Sequence, residues 1–110
     1  MSHHQRSPDA RVTFELTASA EGGGPRRVLS GYRPAYDVRA DYWTSVSHEF
    51  ANTEGARTGE RVEADVWFIT PEVYPGTLWP GRVLRVAEGS RIVGTATVER
   101  VFNPVLRRAD

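Results

Sequence analysis

Asp37, Asp41, Glu63 and Asp65 are carboxylates spaced closely enough to suggest general acid–base chemistry, and His48 is the one histidine away from the N-terminal pair His3 and His4. Their neighbours argue against that use. Each carboxylate alternates with apolar residues, so a strand turns it to its outer face, where solvated charge belongs. His48 shares the apolar side of the run Val46, His48, Phe50 and reads as a core or rim residue. The chain has no cysteine and no lysine, which removes thiolate metal sites and two kinds of nucleophile. It also lacks a phosphate loop of the Gly-x-x-x-x-Gly-Lys-Ser/Thr form. His3 and His4 have no further ligand at useful spacing. No nucleophile–base–orienter set can be assembled. The expectation is therefore no catalytic residue, no cofactor and no metal.

Binding chemistry has better material. All fourteen basic residues are arginine, whose planar fork suits phosphate and carboxylate. Arg26 and Arg27 follow Gly22-Gly23-Gly24-Pro25, Arg33 lies in Gly31-Tyr32-Arg33-Pro34, and Arg91 closes Glu88-Gly89-Ser90-Arg91. Bland readings stand beside these: adjacent loop arginines are usually solvated, and the glycines and prolines are also what tight turns require. Gly89 in particular suits a hairpin position with φ > 0. The stretch Tyr74 to Gly81 presents Tyr74, Leu78 and Trp79 among two prolines and two glycines. Aromatic groups on a stiff loop make good interface anchors. Folding over an open end of the domain is the other reading.

The elements that must position these residues are strands. Val12, Phe14, Leu16, Ala18 and Ala20 alternate with polar residues, as do Tyr36, Val38 and Ala40, then Val46, His48 and Phe50. Val62, Ala64, Val66 and Phe68 face one way against Glu63, Asp65 and Trp67. Val83 to Ala87 and Ile92 to Val101 make a last hairpin. Asn52 to Glu60 reads as a polar loop, and the Pro71 to Gly81 stretch as a long connection. No segment has the three-four spacing of an amphipathic helix. The pattern predicts an all-β, six-stranded closed antiparallel barrel. Residues 1–10 are expected to form a mobile tail, 11–103 the barrel, and 104–110 a second tail.

At 110 residues the chain has room for one modest core. Its fourteen acidic residues balance its fourteen arginines, whereas a nucleic-acid-binding domain usually carries a basic excess. No apolar run spans a bilayer and no signal-peptide core opens the chain, so a cytoplasmic location with no membrane or DNA partner is expected.

The ordered motifs Glu21-Gly22-Gly23, Tyr32-Arg33-Pro34, Arg39, Thr44, Thr58-Gly59-Glu60, Phe68-Ile69-Thr70-Pro71 and Glu88-Gly89-Ser90-Arg91-Ile92-Val93-Gly94 resemble the third domain of elongation factor Tu. The likeness runs from about Arg11 to Phe102, which implies that no GTPase domain is attached. In that family the domain does no chemistry. It packs on neighbouring domains, grips the T-stem backbone of aminoacyl-tRNA and receives the nucleotide-exchange partner. The candidate partner or RNA contacts are Arg26, Arg27, Arg33, Thr44, Glu88, Gly89 and Arg91: the resemblance implies Thr44, Glu88 and Gly89 as retained tRNA-facing positions, while Arg26 and Arg27 depart from the family loop and add cations to it. The resemblance is uneven, however. Ala35 replaces a family glutamine, Gly24 and Pro25 replace an Arg-His pair, and Ala87 replaces an arginine. Those losses remove donors from a phosphate-gripping surface. The expectation is a non-catalytic module that binds a protein partner. The alternative is a tRNA-binding or translation-associated module acting with a separate GTPase subunit.

Overall fold

The computed structural model describes residues 6–18, 23–40 and 42–109. His3 and His4, Ser19 and Ala20 of the expected first strand, the turn residues Glu21 and Gly22, and Asp41 lie outside them, and Thr17 and Ala18, which the sequence reading also placed in that strand, follow its end. The described residues form eight strands: β1 (Ala10–Leu16), β2 (Arg27–Val28), β3 (Ala35–Arg39), β4 (Tyr42–Phe50), β5 (Ala56–Arg57), β6 (Arg61–Phe68), β7 (Val83–Glu88) and β8 (Arg91–Val101). Six of them close an antiparallel barrel in the order β1-β6-β4-β3-β7-β8, sealed by the β1–β8 ladder. Closure leaves those six strands no open edge. Strands β2 and β5 form a separate two-stranded ribbon, placing a strand pair where the sequence reads as loop. A single 3-10 turn, Pro71–Val73, stands in the long connection. Among the described residues no helix is long and apolar enough to cross a membrane.

The alternation read from the sequence is the alternation of burial. Val12, Phe14 and Leu16 point inward with Val46, His48, Phe50, Ala64, Val66 and Phe68. An aromatic cluster forms at the centre, with the Phe14 and His48 rings 5.5 Å apart and Tyr36 and Phe68 edge-to-face at 6.0 Å. Gly94 marks a close backbone approach between β1 and β8. A Cβ there would lie 2.1 Å from the Glu15 carbonyl oxygen, so only glycine lets β8 pack so near β1.

The domain reaches further along the chain than residues 11–103. Asp9 is only 1% exposed. Its carboxylate accepts from the Arg6 guanidinium (2.6 and 3.0 Å), the Phe68 amide (2.7 Å) and the Asn103 side-chain amide (2.9 Å). Its carbonyl accepts from the amides of Phe102 and Asn103. One buried carboxylate thus ties the segments before β1 and after β8 to the end of β6. The same N-terminal segment covers Trp67, whose indole donates to the Arg6 carbonyl at 2.8 Å. An outward-facing tryptophan on β6 is buried in this way. Beyond residue 103, Leu106 is fully buried and its amide and carbonyl are both bonded, so this stretch is structured rather than a tail.

Candidate functional site

The residues singled out from the sequence fall at three places on the barrel. The first is the end where β7 turns into β8. Gly89 has φ +58° and allows the hairpin that sets Glu88 opposite Arg91. The Glu88 carboxylate accepts from Arg26 at 2.9 Å through Oε1, forms a second contact with its guanidinium at 2.5 Å through Oε2, and accepts from the Tyr32 hydroxyl at 2.6 Å. Arg26 is held in turn by its own amide, which donates to Thr58 Oγ1. The Arg26 hydrogen bond is the main reason the Glu88 carboxyl is held below its ordinary value, with Tyr32 and the nearby charge of Arg91 adding to it. Burial, followed by the hydrogen bond to Glu88, pushes the Tyr32 hydroxyl well up. Four of the expected contacts, Arg26, Glu88, Gly89 and Arg91, do meet here. The pairing of Arg26 with Glu88 spans 62 positions of sequence, which no local pattern encodes.

The remaining three are elsewhere. Arg27 donates to the Glu54 carbonyl at 2.7 Å beside the β2–β5 ribbon. Thr44 is 4% exposed and shares the inward side of β4 with Val46 and His48, so its side chain is not on a surface that RNA reaches. Strand parity, the signal that found His48, also covers Thr44. Arg33 is exposed on the second surface, a depression along the outer side of β4. A groove of about 600 Å³ runs between Leu29 to Gly31 and the segment Ser47 to Thr53, and a smaller recess of about 170 Å³ continues it past Ser45 to Trp67 and Ile69. Arg33 and Ser47 line both. Leu29 and Ile69, 55% and 65% exposed, are the apolar residues of this surface most open to solvent. The sequence reading missed them because neither belongs to an alternating run.

The third place is the opposite end of the barrel, where β3 and β8 finish. Tyr74 and Leu78, expected on an interface loop, are buried there. The loop pairs with the segment after β8: Gly76 N–H donates to Val105, Leu78 N–H to Leu106, and Arg108 N–H back to Leu78. A parallel bridge between Leu78 and Arg107 joins the two segments. Loop and C-terminal segment together cap the barrel, so Leu78 and Tyr74 contribute to the core rather than to a docking surface. Trp79 alone of the three is only partly buried, with the Arg108 guanidinium 4.2 Å and the Arg82 guanidinium 5.0 Å from its ring centre.

Two of the outward carboxylates are engaged in ion pairs, Asp37 with Arg85 at 2.6 Å and Asp65 with Arg11 at 2.9 Å. Among the described residues no three His, Cys, Asp or Glu side chains gather in a way that would hold a metal ion. A scan against models of known protein families matches none of them to this chain.

Proposed function

We propose that this protein is a non-catalytic binding module whose partner is another protein, engaged along the outer side of β4. The observation that carries the reading is the continuous depression containing Arg33, with solvent-open Leu29 and Ile69. Apolar side chains set around two arginines, Arg33 and the Asp9-paired Arg6, are the composition of a protein-binding surface. The balance of fourteen acidic and fourteen basic residues supports it too, since long-range attraction for a nucleic acid is weak without a basic excess. So does the state of Glu88 and Arg26, which neutralise one another instead of presenting a free cation to phosphate.

The test is affinity capture from native lysate, with and without nuclease, using the wild-type chain and the exposed-site variants Leu29→Asp and Ile69→Asp. The reading expects a protein retained after nuclease treatment and lost with either variant. Capture that survives both variants would move the interface elsewhere.

A second reading follows from the resemblance to the third domain of elongation factor Tu, namely a tRNA-binding module acting with a separate GTPase subunit. The gathering of Arg26, Glu88, Gly89 and Arg91 at one barrel end favours it. It requires aminoacyl-tRNA binding that weakens steeply with salt, as counterion release dictates. It also requires the Arg26→Ala, Arg27→Ala double variant to flatten that salt slope.

A further inference from the structure

The arginines of this chain are unevenly satisfied. Arg6, Arg11, Arg26 and Arg85 each lie against a carboxylate. At the capped end of the barrel, Arg82, Arg100, Arg107 and Arg108 make no carboxylate ion pair among the described residues. Arg82 is turned onto the backbone carbonyls of Thr77 and Val38. Arg107 donates one guanidinium nitrogen to the Val101 carbonyl at 2.8 Å, which fixes the group and leaves its other donors unused by the described residues. Arg100 lies 5.5 Å from the Phe102 ring centre, and Arg108 lies 4.2 Å from that of Trp79. Resting a guanidinium on a ring limits its rotamers and keeps its in-plane N–H donors available. Arg100, Arg107 and Arg108 line one open recess of about 510 Å³ with Trp79, and among the described residues Glu99 is the single carboxylate in its wall.

We infer that this recess is a docking site for an acidic peptide segment, whose Asp or Glu carboxylates the three guanidinium forks of Arg100, Arg107 and Arg108 receive against Trp79. Charge complementarity identifies the occupant. Three preset cations with one carboxylate among them leave a local positive excess on a chain that is neutral overall. A planar fork binds a carboxylate through two parallel N–H donors. Single-stranded nucleic acid fits less well, because its sequence-tolerant affinity rests on bases stacking on open aromatic faces. Here the Trp79 ring already carries two guanidiniums. The site lies at the other end of the barrel from Glu88 and apart from the β4 depression, so it does not depend on the function proposed above.

Fluorescence anisotropy tests it with a dye-labelled peptide of about ten glutamates and a labelled oligothymidine of about the same length, at low salt where such contacts are strongest. The peptide should bind, shift the Trp79 indole N–H resonance, and lose about tenfold in affinity in the Arg100→Ala, Arg108→Ala double variant. Arg61→Ala, an exposed arginine outside the recess, should bind as wild type. Arg108→Lys should bind more weakly than wild type but better than the alanine double variant, and it guards against a folding defect. The oligothymidine should bind about tenfold more weakly than the peptide. Absence of peptide binding, equal loss in Arg61→Ala, or tighter binding of the oligothymidine would each overturn the assignment.

Discussion

The hydroxyl of Tyr36 donates to Nε2 of His48 at 2.6 Å inside the barrel. Nδ1 of His48 faces the carbonyl oxygens of Val46 (3.1 Å) and Tyr32 (3.3 Å), so it must carry the proton that Nε2 lacks. The ring is 1% exposed, and Phe14 and Phe50 lie against it. Adding a proton at Nε2 would place charge in an apolar core and force the Tyr36 hydroxyl to turn from donor to acceptor.

Burial accordingly lowers the His48 pKa from 6.5 to about 4, with the carbonyl contacts to Tyr32 and Val46 opposing weakly. The unfolded chain takes up this proton near pH 6.5 and the folded one near 4. The contribution to stability is therefore complete above the unfolded value and is lost progressively as pH falls toward the folded one. It amounts to roughly 3 kcal/mol across that window. Denaturant melts between about pH 7 and pH 4.5 should show this loss, and His48→Gln should flatten the slope. Glu88, whose pKa is lowered, acts in a lower window, contributing above its unfolded value and losing that contribution in more acid solution. An unchanged slope in His48→Gln would show that another group titrates.

Asp9→Ala should cost about 3 kcal/mol of folding stability. The substitution leaves the buried Phe68 amide without its acceptor and releases Arg6 and Asn103 together. Arg6→Ala should cost less, since the arginine side chain is 47% exposed. Equal, small effects in chemical denaturation would mean that the N-terminal segment detaches without consequence for the barrel.

Gly94→Ala should destabilise by about 2 kcal/mol or more, because the added methyl meets the Glu15 carbonyl, a backbone atom that cannot rotate away. Gly24→Ala should be nearly neutral, as nothing lies within 4 Å of the added carbon. A thermal melt of the two variants side by side distinguishes a packing requirement from a general cost of replacing glycine.

At the capped end, Leu78→Ala should cost about 2–5 kcal/mol, the range for emptying a buried leucine site. Trp79→Ala should cost less despite the larger side chain, because the indole is only partly buried and two arginine side chains lie over its ring. A larger midpoint drop for Trp79→Ala than for Leu78→Ala would make the indole, not the leucine, the principal plug.

By itself the sequence determined the strand pattern and its faces. Val12, Phe14 and Leu16, or Val46, His48 and Phe50, alternate strictly, and a strand converts that period of two into inside and outside. Gly89 marked the last hairpin for the same local reason, since its backbone torsion is a property of a few adjacent residues. Tertiary structure alone decided what the loops and termini do. Leu78 and Leu106 stand in no periodic run, yet both are buried because two segments lacking regular structure pair across the barrel end. Asp9, a charged residue before the first strand, is buried because Arg6, the Phe68 amide and Asn103 converge on it from three parts of the chain. Arg26 looks like a free loop cation until the fold brings Glu88 to it. Periodicity reports the face of an element, while partners separated by tens of residues are set by how the barrel closes, and a single sequence carries no local trace of that distance.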